Sequence, residues 1–136
     1  MQILLVEDDV SSAEIISRVI QKWYHHVELA KTGKKALEKA KNNIFDLILL
    51  DIMLPDIMGY ELIPEFKKYD SGIQIITMTG YNTLAMERKI RGFGITYYMT
   101  KPILLDELKS ILDHLSEKLK KEEALWVEKP KTSIWQ

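Results

Sequence analysis

The sequence predicts an α/β protein built on a doubly wound, five-stranded parallel sheet with helices on both faces. Three observations carry that expectation. Short apolar runs occur five times, at residues 3–6, 27–30, 47–50, 73–77 and 95–99. Between them lie stretches whose apolar residues step by three and four, the period of an amphipathic helix. The connections are short, and regular strand–helix alternation builds a parallel sheet because each helix returns the chain to the edge where the last strand began.

Taken in order, Ile3-Leu4-Leu5-Val6 is stopped at once by Glu7-Asp8-Asp9. Asp9 is expected to open the first helix, in which Ile16, Val19, Ile20 and Trp23 share a face. His25 and His26 are neighbours at a strand start, where side chains point apart, so they do not read as a metal pair. Ala36, Leu37 and Ala40 mark the second helix, with Lys and Glu outside. Leu47-Ile48-Leu49-Leu50 has no polar alternation, which suits a central strand covered on both faces. Gly59 is expected to serve the turn before a third helix carrying Leu62, Ile63 and Phe66. Leu84, Ala85 and Ile90 mark a weaker fourth. Leu105, Leu108, Leu112, Leu115 and Leu119 mark a long fifth. Its first three leucines are expected to pack on the sheet, and Leu115 and Leu119 to lie near or past the sheet edge. Residues 117–123 continue it as a charged, helix-favouring stretch. Trp126 and Trp135 beyond are expected to dock on the domain or on a partner, or to begin an output region.

The 136 residues suffice for one cored domain without staples. We read 1–119 as that domain and 120–136 as a helical extension and tail. A net charge of -1 gives no reason to expect direct nucleic-acid binding. The absence of cysteine excludes disulfides and thiolate metal sites. The amino end lacks the basic region of a signal peptide, and no segment is apolar enough to span a bilayer, so a cytoplasmic protein is expected.

In open parallel sheets the ligand site lies beyond the carboxyl ends of the strands. Here those ends carry Glu7-Asp8-Asp9, Asp51, Thr79 and Thr100-Lys101-Pro102. Several carboxylates on one rim repel unless a cation sits among them. Oxygen ligands without His or Cys suit Mg²⁺. A carboxylate beside Mg²⁺ and a lysine suits phosphoryl transfer, with the carboxylate attacking and the cations neutralising the equatorial oxygens.

Val6-Glu7-Asp8-Asp9, Leu49-Leu50-Asp51-Ile52-Met53-Leu54-Pro55 with Gly59, Thr79-Gly80, and Tyr98-Met99-Thr100-Lys101-Pro102 together resemble the response-regulator receiver family of two-component signalling. The resemblance runs from about Gln2 to Leu119. It implies the flavodoxin-like strand order 2-1-3-4-5 in three α/β/α layers. It implies that Asp51 is the phosphoacceptor, that Asp8, Asp51 and the backbone carbonyl of Met53 bind Mg²⁺ directly, and that Glu7 does so through water. Thr79 would donate to one phosphoryl oxygen and Lys101 would pair with another. Tyr98 matches the aromatic whose rotamer follows Thr79, and Lys101-Pro102 the peptide that is usually cis. The implied partner is a histidine kinase or a His-containing phosphotransfer protein. A weak homodimer is expected through the face of the fourth helix, fifth strand and fifth helix, or through the carboxyl-terminal helix. The implied protein is a switch that catalyses only its own phosphotransfer and dephosphorylation. Met53 and Tyr81 stand where the family flanks the path of the hydrolytic water. Two departures stand out. Gly94-Ile95-Thr96-Tyr97 lacks an acidic residue used in the symmetric dimer of one DNA-binding subfamily, and Ile103 replaces a common Phe.

Other chemistries fit less well. Small phosphatases that form an aspartyl phosphate typically place a second Asp two residues after the nucleophile, where this chain has Met53. A flavin carrier of the same sheet would need a hydroxyl-rich phosphate loop where Glu7-Asp8-Asp9 stands. A Walker lysine loop is absent.

Overall fold

The computed structural model describes residues 1–134, with side chains through Leu125. The readings placed on Trp126 and Trp135 lie outside the described side chains. The chain forms two compact units, one of residues 1–102 and one from Ile103 onward.

The first unit alternates β1 (Gln2–Val6), α1 (Val10–Lys22), β2 (His26–Ala30), α2 (Gly33–Asn42), β3 (Leu47–Asp51), a 3-10 turn (Gly59–Leu62) running into α3 (Ile63–Tyr69), β4 (Gln74–Thr79), α4 (Leu84–Arg91) and β5 (Tyr97–Thr100). The sheet order is β2-β1-β3-β4-β5 and every neighbouring pair is parallel. Val6 stands opposite Ala30 and Leu50, Asp51 opposite Met78, and Thr79 opposite Thr100. The strands therefore finish at one rim, and the order reverses beside β1, where such sheets open a crevice.

β3 is buried along its whole length, as its unbroken apolar run requires. On one face Leu4, Val6, Ile48, Leu50 and Ile75 pack with Ala36 of α2, Leu62, and Ile63 and Phe66 of α3. On the other, Ile3, Leu5, Leu47 and Leu49 are buried, and α1 lies against β1 and β2 and buries Ala13, Ile16 and Ile20. Each buried Val, Leu, Ile or Phe side chain contributes about 1.5–3 kcal/mol through its removal from water.

Several local expectations need correction. β5 starts at Tyr97, not residue 95: the Thr96 amide donates to Ile75 O at 2.8 Å, but Ile75 N donates to the Thr96 hydroxyl at 3.2 Å in place of a backbone carbonyl, and that hydroxyl donates to Gln74 Oε1 at 2.7 Å. Val19 and Trp23 are only half-buried, and Ala13 and Ser17 complete the inner face of α1 instead. In α4 only Ile90 is buried, while Leu84 is 64% exposed. The carboxyl end of that helix is held from α3 and the turn before it. Lys67 Nζ donates to Phe93 O at 2.8 Å and to Gly94 O at 2.9 Å. Tyr60 stacks on Phe93 with centroids 5.9 Å apart, and Lys89 Nζ sits 4.5 Å above the Tyr60 ring. Gly94 has φ +79°, a left-handed conformation that glycine adopts without strain.

The second unit contains α5, a continuous helix of 30 residues (Leu105–Ile134). Leu108, Ile111, Leu112 and Leu115 are buried, Leu119 is half-buried, and Leu105 is exposed. At about 100° per residue the buried arc centres between Ile111 and Leu112, leaving Leu105 at its margin. Leu115, expected near or past the sheet edge, is buried.

Candidate functional site

The end of β1 and the end of β3 are neighbours, so the residues that follow Val6 meet the last residue of β3. Glu7 continues the ladder through its amide, which donates to Ala30 O at 3.0 Å, and its side chain turns inward. Asp51 is also buried, while Asp8 faces solvent. Carboxylate oxygens of Glu7, Asp8 and Asp51 lie within 4.8 Å of one another. Lys101 arrives from the end of β5, its backbone fixed by a 2.8 Å bond from its amide to Thr79 O. Its Nζ donates to Glu7 Oε1 at 2.8 Å and to Asp51 Oδ2 at 3.2 Å. The Lys101-Pro102 peptide is cis.

Two of the three clustered carboxylates thus share one ammonium. Burial pushes the Glu7 carboxyl up from 4.5 to about 8; the neighbouring Asp51 carboxylate adds to this, and Lys101 only partly offsets it. For Lys101, burial works against the charge, but the Glu7 hydrogen bond and the Asp51 carboxylate outweigh it and hold the ammonium above its usual value. Glu7 Oε2 is buried with no hydrogen-bond partner. A buried acceptor left in that state is costly. An orphaned oxygen, two further carboxylates and no His or Cys among them fit a hard divalent cation such as Mg²⁺, which keeps several waters.

The loop after Asp51 is cross-braced. Met53 N donates to Asp51 Oδ1 at 3.3 Å, Gly59 N donates to Ile52 O at 2.7 Å, and Met53 and Met58 form an antiparallel bridge. A Cβ at Gly59 would strike the carbonyl oxygen of Asp51, so the return strand can approach only without a side chain.

Thr79 and Tyr98 take other partners. The buried Thr79 hydroxyl donates to Tyr81 O and accepts from Tyr81 N, both at 3.1 Å. Tyr98 is half-buried; its hydroxyl donates to Asn82 Oδ1 at 2.7 Å, and the Arg91 guanidinium lies 5.4 Å from its ring centroid. Burial raises the Tyr98 pKa, with Glu87 adding to the shift and Arg91 opposing it. The structure therefore gathers Glu7, Asp8, Asp51 and Lys101, with Met53 beginning the adjoining loop, and leaves Thr79 and Tyr98 bonded elsewhere. Asn82 and Asp56, which engage this region, went unread in the sequence. The Pro55-Asp56 pair was a turn signal, but nothing in it names a partner. A separate cavity of 270 Å³, lined by Phe45, Ile48, Phe66 and Ile73 among others, sits by the amino ends of β3 and β4, away from the carboxylates.

A strand-end aspartate held by a lysine beside an acidic pair, in this strand order, defines a phosphorylation-switch class of protein. The profile of the response regulator receiver domain matches residues 3–113, and the chain belongs to that family. Its domains accept a phosphoryl group from histidine kinases and bind Mg²⁺ at an acidic cluster. Among similar proteins is the transcriptional regulatory protein ZraR of Klebsiella oxytoca, 33% identical over 112 residues, which are 82% of this chain and 25% of the relative. The chain thus spans about a quarter of that relative's length. A CheY-like receiver domain protein from Methanospirillum hungatei JF-1 superposes with a TM-score of 0.81 at 33% identity, covering 88% of this chain and 97% of the other. The response regulator TrrA of Thermotoga maritima, solved in complex with Mg²⁺-BeF, gives a TM-score of 0.76 at 29% identity, covering 84% and 97%.

Proposed function

We propose that Asp51 accepts a phosphoryl group from the phosphohistidine of a histidine kinase or a His-containing phosphotransfer protein. The observation that carries this is the buried Asp51 carboxylate, 3.2 Å from Lys101 Nζ in one cluster with Glu7 and Asp8. An Asp51 oxygen attacks phosphorus and the P–N bond of the donor breaks. The imidazole leaves with the bonding pair and is protonated, and Asp51 becomes an acyl phosphate. Lys101 then pairs with a phosphoryl oxygen. Asp8, Asp51 and the Met53 carbonyl would hold Mg²⁺ directly, with Glu7 acting through water. The ion supplies charge neutralisation on the transferring group.

The same reading assigns the switch. The Thr79 hydroxyl exchanges Tyr81 O for a phosphoryl oxygen, and Tyr98 leaves Asn82 for the space that opens. This is a population shift between two packings. Phosphorylation then signals to an output domain or partner, and the domain later hydrolyses its own acyl phosphate, acting on no other substrate. We assign residues 1–119 to the receiver and 120–136 to an extension, and place the protein in the cytoplasm. Weak self-association through the α4–β5–α5 face or the distal part of α5 belongs to the same proposal.

Acetyl phosphate labelling followed by intact mass, with and without Mg²⁺, tests the chemistry. One phosphoryl group should add in the presence of Mg²⁺ and none to Asp51→Asn. Labelling that survives that substitution, or is indifferent to Mg²⁺, refutes it. Beryllofluoride should also move amide resonances across residues 82–112; changes confined to the loops around Asp51 would reject the switch.

A further inference from the structure

The loop from Met53 to Met58 is tied to a helix that the chemistry above does not use. Asp56 stands at its tip, where Oδ1 accepts from Gly33 N at 2.9 Å and Oδ2 from Lys34 N at 3.0 Å. These are the first two amides of α2, which have no acceptor within their own helix. Thr32 Oγ1 accepts from the third, Lys35 N, at 3.1 Å, and Thr32 O accepts from the fourth, Ala36 N, at 3.0 Å. Every amide of the first turn is therefore satisfied, two of them by a residue more than 20 positions away in sequence. The two amides, Gly33 first, hold the Asp56 carboxyl below its ordinary value of 3.8, so the tether is charged at neutral pH. The positive end of the helix dipole favours that charge. Contact is close: a Cβ at Gly33 would collide with the side chain of Ile57.

We propose that Asp56 is a positioning residue for the metal site: by gripping the first two amides of α2 it fixes the tip of the 53–58 loop and so sets where the Met53 carbonyl stands. The proposal rests on the metal reading given above. Transmission is mechanical. The Met53–Met58 bridge and the Gly59 N to Ile52 O bond lock the two arms of the loop together, so a tip held on α2 constrains the arm that starts at Met53. Without the carboxylate, the loop keeps the partly buried side chains of Leu54 and Ile57 and the bond from Met58 N to Glu61 Oε2 at 3.2 Å, but loses its hold on α2. A divalent cation that demands near-octahedral geometry responds to small displacements of one ligand.

The test compares two caps of the same helix in the full chain. Asp56→Ala removes the tether to the loop, and Thr32→Ala removes the cap that has no link to it. Mg²⁺ is titrated by amide shifts, and hydrogen exchange is followed without metal. Asp56→Ala should raise the Mg²⁺ Kd about tenfold, the low end of what losing a partner behind a metal ligand costs, and Thr32→Ala should leave it within about twofold. Asp56→Asn, which keeps one acceptor oxygen, should fall between. In metal-free Asp56→Ala the amides of residues 52–54 should shift, and Gly33 and Lys34 should exchange faster. Unchanged Mg²⁺ affinity in Asp56→Ala overturns the proposal while leaving the metal reading intact. Equal weakening by Thr32→Ala also overturns it, since helix fraying would then suffice. If wild type shows no Mg²⁺-dependent shifts, or Asp8→Asn binds as wild type does, the metal reading falls and this inference with it.

Discussion

Replacing Glu7 with glutamine should flatten the pH dependence of stability in the metal-free protein. Burial, reinforced by Asp51 and only partly offset by Lys101, lifts the Glu7 carboxyl from 4.5 to about 8 in the folded chain. The folded state thus holds this proton more tightly than the unfolded state does. The resulting stability is fully present below about pH 4.5 and is lost as pH rises through about 8. Between those limits each pH unit removes about 1.4 kcal/mol, so climbing from about pH 5.5 to about 7.5 removes roughly 3 kcal/mol. A small domain has only about 5–15 kcal/mol in all, so the loss is easily measured. Glutamine keeps a carbonyl acceptor for Lys101 Nζ but has no proton to release. Urea unfolding in chelator across that range should show the wild-type midpoint falling with pH and Glu7→Gln nearly level. Adding Mg²⁺ to wild type should remove most of the decline. Equal slopes for the two proteins without metal would refute the reasoning.

Gly59→Ala places a methyl group against the Asp51 carbonyl and 3.0 Å from Ile52 Cα, backbone atoms that cannot rotate away. It should cost about 1–3 kcal/mol of stability and weaken beryllofluoride binding; a variant unchanged in both measurements would refute the close approach. Met53 and Tyr81 are 51% and 63% exposed, and neither has a carboxylate or amide to orient water. The acyl phosphate should therefore be long-lived, and Met53→Asn combined with Tyr81→Glu should shorten it; unchanged or slower phosphate loss counts against this. In distal α5, Leu125 is 61% exposed and Leu119 half-buried. Covering each fully is worth about 1.5–3 kcal/mol, enough for a weak dimer only. Sedimentation should show association that is lost in a chain ending at Glu117, and two monomers at every concentration would refute it.

The sheet was legible because β3 has an unbroken apolar run and the strand ends concentrate charge. Parallel strands of similar length bring such ends together whatever the details of the helices. Helix faces were less legible. Leu84 looks inward by type, yet α4 buries only Ile90, because its hold on the domain comes through Lys67 and Phe93 at the far end. The start of β5 was misplaced because Thr96 substitutes a hydroxyl for a backbone partner, which no apolar pattern reveals. In the site, the acidic cluster and Lys101 were readable from position. The partners of Thr79 and Tyr98 were not, since Tyr81 offers its backbone and Asn82 has no periodic signature.

The grip of Lys67 on the two carbonyls beyond α4 has a mechanical consequence. With Phe93 stacked on Tyr60 and Ile90 buried, that end of the helix is a fulcrum, while Leu84 and Ala85 at the other end are exposed. Eight residues make a rod about 12 Å long. A tilt of about 10° about the fulcrum carries its amino end roughly 2 Å and leaves the lysine bonds almost undisturbed. Displacement is then largest beside Thr79 and Asn82 and smallest at Gly94. If the Thr79 hydroxyl moves as proposed, a lever of this kind would turn that small rearrangement into a change of surface without unpacking the core beneath it.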